Sequence, residues 1–160
     1  MNNLTPALYY FDTNALLKYY NDEKGRLSIR RLVANSPQPI LVSPLTLLEC
    51  HGVLMKSFRQ RVLKRQKLNT LVDLLRRNTG VNHTNRPFQL VPLPANAFRL
   101  AENILLQHAA TFDIGPNDAL HLAIVKQLPL TPSPILVTSD RSMQHIGGRL
   151  GIGIYDPEME

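Results

Sequence analysis

YYFDTNALLKYY, residues Tyr9–Tyr20, decides the fold. With Ala7 and Leu8 it opens as ALYYF, a short apolar, aromatic-rich run that reads as a buried strand. Asp12-Thr13-Asn14 follow, three residues that favour helix N-termini, and then the apolar stretch Ala15–Tyr20. A strand therefore runs straight into a helix, with an acid at the junction.

The same junction recurs along the chain. Ile40–Val42 reads as a strand, and Ser43-Pro44 opens a helix, with Ser at the cap and Pro at the first helical position. That helix continues through Leu45, Leu48 and Gly52 to Phe58. Ile135–Thr138 is another apolar strand, with a short helix beginning at Ser139-Asp140. Between these units, Asn21–Gly25 reads as a turn and Ser28–Asn35 as a short helix ended by Ser36-Pro37-Gln38-Pro39. Leu68, Leu71, Val72 and Leu75 form one apolar stripe at helical spacing. Gly80–Pro87 reads as a polar loop and Phe88–Val91 as a strand. Ala97, Leu100, Ala101, Ile104 and Leu105 give a helix to His108. Asp118–Leu128 is apolar on nearly every side and reads as a buried helix. Gly147–Gly153 reads as a turn into a last strand, Ile152–Tyr155. Short apolar strands alternating with helices predict an α/β fold, a parallel sheet flanked by helices on both faces. No repeat or domain-splitting linker is visible, so residues 1–160 read as one domain.

Composition narrows the class. With 44% hydrophobic and 19% charged residues the chain can bury a core, and no apolar run reaches the roughly 20 residues that cross a bilayer. The N-terminus lacks the basic flank and apolar stretch of a signal peptide. One cysteine, Cys50, excludes an internal disulfide framework and a cysteine-based zinc site. A cytoplasmic protein with no membrane association is the simplest fit. The formal charge of +6 is unevenly spread. Lys56, Arg59, Arg61, Lys64, Arg65, Lys67, Arg76, Arg77, Arg86 and Arg99 face a single acid, Asp73, between His51 and Ala101. The segment Lys56–Arg77 is the best candidate surface for a polyanionic partner, although long helices commonly carry solvated Lys and Arg.

Four acids sit in unusual surroundings. Asp12 ends the first strand and Asp140 closely follows a later one, and open parallel sheets bind ligands outside the carboxyl ends of their strands. Glu49 and Asp118 lie in the apolar stretches LTLLECHGVL and DALHLAIV, where burying a carboxylate without a partner costs several kcal/mol or raises its pKa. Each also has a structural explanation: Asp12 and Asp140 as N-caps, Asp118 near a helix dipole, Glu49 pointing to water.

The pieces YYFDTNALLKYY, LTLLECHGVL, NDALHLAIV and ILVTSD, in that order across nearly the whole chain, resemble the PIN domain family, in particular the VapC-like ribonucleases that act as toxins in bacterial toxin–antitoxin pairs. The resemblance implies a Rossmann-like parallel sheet and a metal-dependent nuclease site built from Asp12, Glu49, Asp118 and Asp140, with Asn14 and Thr138 supporting by hydrogen bonds. Carboxylates without a Cys or His cage form a hard oxygen site suited to Mg²⁺ or Mn²⁺, one ion or two. Asp12 and Asp118 are expected to ligate directly, Asp140 directly or through water, and Glu49 to orient a water. Mutual repulsion would raise their pKa values unless a cation sits between them. The resemblance further implies an RNA substrate, a cognate antitoxin protein and a homodimer. The competing readings are a non-catalytic nucleic-acid-binding or scaffold protein of the same fold and a housekeeping RNA-processing nuclease. An aspartyl phosphotransferase fits poorly, because position 14 is Asn where that chemistry wants a second Asp.

Several other residues read as structural. His121 follows Asp118 by three and reads as a satisfied core histidine rather than a donor to a site carboxylate. Cys50 reads as small and buried. Tyr9, Tyr10, Tyr19 and Tyr20 read as core or dimer-contact residues, the glycines from Gly147 as turn residues, and Asp156, Glu158 and Glu160 as a solvated end.

Overall fold

The computed structural model describes residues 6–81 and 85–159. They form six strands and seven helices: β1 Tyr9–Phe11, α1 Thr13–Tyr20, α2 Arg26–Asn35, β2 Ile40–Val42, α3 Pro44–Arg59, α4 Arg65–Asn78, β3 Thr79–Gly80, β4 Phe88–Leu90, α5 Ala97–His108, α6 Pro116–Gln127, β5 Ile135–Val137, α7 Arg141–Arg149 and β6 Ile154–Tyr155. The strands pair in parallel in the order β3-β4-β2-β1-β5-β6.

In register across the sheet, Tyr10 lies beside Leu41 and Leu136, and these three join one core with residues of α5, α6 and α7. Their neighbours Phe11, Ile40, Val42 and Val137 point the other way and join Phe88 and residues of α1, α2, α3 and α4 in a second core. The period-two alternation of a strand thus distributes β1, β2 and β5 between two helical layers. Helix α6 is enclosed on nearly all sides, with Ala119 to Val125 all buried, which accounts for its lack of a polar face.

β1 sits at the topological switch point. The chain leaves it through α1 and α2 to β2 on one side, and returns through α5 and α6 to β5 on the other. The carboxyl ends of β1, β2 and β5 therefore open onto one crevice.

The structure corrects four local expectations. The helix expected from Ser28 begins at Arg26, with Gly25 in the left-handed region at φ 84° before it. Part of the expected Gly80 loop is an edge strand, β3, paired to β4, while His83 lies outside the described residues. The glycines Gly147 and Gly148 lie inside α7 rather than in a turn, because Met143 and Ile146 anchor that helix in the first core and packing overrides weak glycine propensity. Glu158 is not a solvated end: its Oε1 accepts from Lys18 Nζ at 2.7 Å, and Asp156 Oδ2 accepts from Gln144 Nε2 at 2.8 Å. The tyrosines pack inward, with Tyr10 fully buried and Tyr19 edge-on to Phe88.

Candidate active site

A cavity of about 170 Å³ opens at the carboxyl ends of β1 and β5, lined by Asp12, Asn14, Glu49, Asp118, His121 and Asp140, together with Thr13, Val53 and Met143. The four acids expected to meet do line one cavity.

Three of them arrive there as parts of helix starts. Asp12 caps α1, its Oδ1 accepting from Ala15 N at 2.7 Å. Asp140 caps α7, its Oδ1 accepting from Met143 N at 2.7 Å. Asp118 lies in the first turn of α6, its Oδ2 accepting from Gly115 N at 2.9 Å. The structural and functional explanations are thus compatible, because a carboxylate has two oxygens and a cap bond engages one. Three helix N-termini also point their positive ends at the cavity, which offsets part of the repulsion among the acids.

Burial, more than repulsion, sets the charge state here. Asp12 is 3% exposed, and desolvation raises its carboxyl above the usual range against the pull of hydrogen bonds from Thr138 and Ala15. Asp118 is raised as well, first by burial, with Asp140 and Glu49 adding to it. Both expected causes act in the expected direction, burial being the larger. Glu49 goes the other way. Burial alone would raise it, but hydrogen bonds from His121 and Thr13 outweigh that and hold it below the usual carboxylate range.

Glu49 reaches the cavity from α3, and it does not simply point to water. Its Oε2 accepts from Thr13 Oγ1 at 2.5 Å and from His121 Nε2 at 2.6 Å, and its Oε1 accepts from Asn117 Nδ2 at 2.9 Å. The reading of His121 as only a satisfied core histidine is corrected here: the ring is 2% exposed, yet it faces a cavity carboxylate. That carboxylate is Glu49, not the helical neighbour Asp118. Helix periodicity relates His121 to residues three and four away, so nothing local in the sequence signals this pair. Thr13 and Asn117 are also not among the site residues expected from the sequence, although each adjoins one of its acids.

Thr138 is fully buried behind the cavity. It hydrogen-bonds Asp12, and its Oγ1 accepts from Asp140 N at 3.1 Å. Asn14 is exposed on the cavity rim. The basic segment spans the end of α3, a turn and the start of α4. Lys56 and Arg59 end α3, Arg61 sits in the following turn with φ 60°, and Lys64 caps α4, which starts at Arg65. Arg65 is drawn over the Phe58 ring at 4.5 Å. Lys56 follows Glu49 by seven residues, two turns along the same side of α3, or about 10 Å from it.

A PIN domain family model matches residues 9–149. The chain belongs to the PIN domain family. Its PIN fold is shared with solved structures at low identity. One is FitAcB from Neisseria gonorrhoeae, with a TM-score of 0.66 at 16% identity over 96% of this chain and 100% of that one. VapBC2 from Rickettsia felis, solved bound to a DNA fragment from its promoter, gives 0.61 at 16% over 93% and 98%. VapC20 from Mycobacterium tuberculosis, a sarcin–ricin loop cleaving toxin, gives 0.62 at 16% over 87% and 95%. No curated protein matches the sequence. No helix among the described residues of this PIN domain is long and apolar enough to cross a membrane.

The donor set suits a divalent cation. Carboxylate oxygens are hard ligands of the kind Mg²⁺ and Mn²⁺ prefer, and two of these acids are costly to ionise without a positive neighbour. Both ring nitrogens of His121 are engaged, one by Glu49 and one by the Tyr10 hydroxyl at 2.9 Å, so the imidazole is not a competing ligand. Among the described residues no group of three or more His, Cys, Asp or Glu side chains is already arranged to hold a metal ion. The acids line the cavity, and Asp12, Asp118 and Asp140 each keep one oxygen out of the cap bond.

Proposed function

We propose that this PIN domain is a divalent-metal-dependent endoribonuclease and the toxin half of a toxin–antitoxin pair. The observation that carries the reading is the convergence of Asp12, Glu49, Asp118 and Asp140 on one cavity. Membership in a family of nucleases supports it, as does the fold shared with a sarcin–ricin loop cleaving toxin and with a toxin–antitoxin complex from Klebsiella pneumoniae, at 14% identity and a TM-score of 0.55 over 93% of this chain and 97% of that one.

Asp12, Asp118 and Asp140 would hold Mg²⁺ or Mn²⁺, which when bound supplies charge neutralisation at the scissile phosphate and a more acidic water. The protein's own groups do the rest. Glu49, kept ionised by its three donors, accepts a hydrogen bond from the attacking water and fixes its direction. Thr138 holds Asp12 from behind, and Asn14 stands at the rim where the RNA backbone enters. Lys56 lies within reach of a neighbouring phosphate, and Arg59, Arg61, Lys64 and Arg65 extend positive charge beyond it. A cognate antitoxin and a homodimer complete the reading.

Cleavage of a structured RNA in Mn²⁺, compared with Asp12→Asn, tests it. Metal-dependent internal cuts lost in the variant support the nuclease. RNA bound without cleavage by both proteins would instead favour a non-catalytic nucleic-acid-binding role. Co-purification with the product of an adjacent small open reading frame separates a toxin from a housekeeping RNA-processing nuclease.

A further inference from the structure

His121 stands at the centre of a hydrogen-bonded chain that runs from the core to the cavity. A carboxylate oxygen only accepts, so the 2.6 Å contact with Glu49 Oε2 requires a proton on Nε2. On the other side of the ring, Nδ1 meets the hydroxyl of the fully buried Tyr10, and the two rings pack edge to face with centroids 5.9 Å apart. That hydroxyl donates to Ser43 Oγ at 2.8 Å and lies 3.3 Å from Thr46 Oγ1. Ser43 caps α3, the helix that carries Glu49. The imidazole is therefore fixed against the start of the same helix whose acid it holds.

The consequence for Glu49 follows from counting acceptor positions. Each carboxylate oxygen has two lone pairs. Oε2 receives two donors, Thr13 and His121, while Oε1 receives one, Asn117. One acceptor position, on Oε1, remains. A buried imidazole without partners would be costly, and both nitrogens of this ring have one.

We propose that His121 is a positioning residue for the reaction: by occupying Oε2 it leaves Glu49 a single open direction, the one that takes the attacking water. The proposal rests on the nuclease reading above. His121 does not touch substrate and acts through Glu49.

Two kinds of measurement test it. In RNA cleavage, His121→Leu lowers kcat about 10- to 100-fold, the usual effect of losing a partner behind a metal-site group, with KM within about twofold. His121→Gln, whose amide can donate to Glu49, recovers most of the rate. Adding His121→Leu to Glu49→Gln costs no more than about twofold further, because the effect passes through the acid. Equal losses in the Leu and Gln variants, or an additive double variant, overturn the proposal. The second measurement needs neither metal nor RNA. In ¹⁵N-histidine-labelled protein, His121 gives a deshielded, slowly exchanging Nε2–H resonance that moves upfield in Glu49→Gln. Its absence from the folded wild type overturns the proposal even if the protein cuts RNA. Its presence in a protein that cuts no RNA supports the hold on Glu49 and counts against the nuclease reading instead.

Discussion

Asp12 and Asp140, 128 residues apart in sequence, use their carboxylates identically: each accepts at Oδ1 from the backbone N–H three residues ahead, at 2.7 Å, and keeps Oδ2 out of the cap bond. The two helices they start, α1 and α7, leave the adjacent strands β1 and β5. A capping residue and a site residue are thus the same residue here, and mutagenesis has to separate the two roles.

Asparagine does that at position 12, since it caps about as well as aspartate. Asp12→Asn should keep the helix and lower RNA cleavage at least about 100-fold, the scale on which catalytic side chains matter. Retained helicity by circular dichroism alongside lost cleavage is the expected result, and near-normal cleavage would remove Asp12 from the site.

The same variant has a pH signature in metal-free protein. The folded Asp12 carboxyl has a raised pKa, so the native state binds that proton more tightly than the unfolded state. The resulting stability is fully present below the unfolded carboxylate range, about pH 4, and is lost as pH rises through the raised value. Asp118 has the same sign, and Glu49, with a lowered pKa, the opposite one. Asp12→Asn should therefore gain stability relative to wild type between acid and neutral pH. Urea denaturation in chelator at both pH values checks the direction, and a constant difference would contradict it.

Metal should reverse that penalty. A divalent ion at about 100 times its dissociation constant stabilises the folded state by about 2.7 kcal/mol. Thermal unfolding against Mn²⁺ concentration should show this rise in the wild type and much less in Asp118→Asn or Asp140→Asn. An equal rise in all three proteins would place the ion elsewhere.

Lys18 and Glu158 offer an asymmetric test away from the cavity. Lys18 is 4% exposed and pairs with Glu158 at 2.7 Å and Glu23 at 3.2 Å. Replacing it by Met removes a buried charge and should cost under about 1 kcal/mol, whereas Glu158→Ala strands that charge with one partner and should cost about 1–3 kcal/mol. Chemical denaturation of both variants gives the comparison, and the reverse order would mean that the tail contributes nothing to holding α1.

Two adjacent glycines in α7 should respond differently to alanine. A Cβ at Gly148 would meet nothing within 4 Å, so Gly148→Ala should stabilise by about 0.5–1 kcal/mol. At Gly147 the added carbon would lie 2.8 Å from Ile154 Cδ1 and 3.3 Å from Leu122 Cδ2, and the gain should shrink or change sign. Melting temperatures of the two variants decide it.

What is legible in the sequence is what local chemistry encodes. Asp12 and Asp140 stand out because each follows an apolar strand and precedes a helix. Glu49 and Asp118 stand out because charge is expensive among apolar neighbours. The parallel sheet follows from short two-sided strands alternating with helices. What is not legible is tertiary. Glu49 and His121 lie 72 residues apart, and no periodicity links α3 to α6. Lys18 and Glu158 meet only because the last turn folds back on α1. The two-residue β3 is an edge strand made by pairing with β4, and its composition, Thr-Gly, gives no strand signal of its own.

The order in which the cavity acquires its acids has a consequence for biosynthesis. Asp12 and Glu49 emerge early, but β5 and the cap of α7 come near the end of the element order, and β5 is the strand that seats Thr138 against Asp12. A chain translated only as far as α6 still lacks Asp140, the fourth carboxylate, and Thr138, the support for the first. On the proposed activity, the site stays incomplete during synthesis until β5 and the start of α7 have both been made.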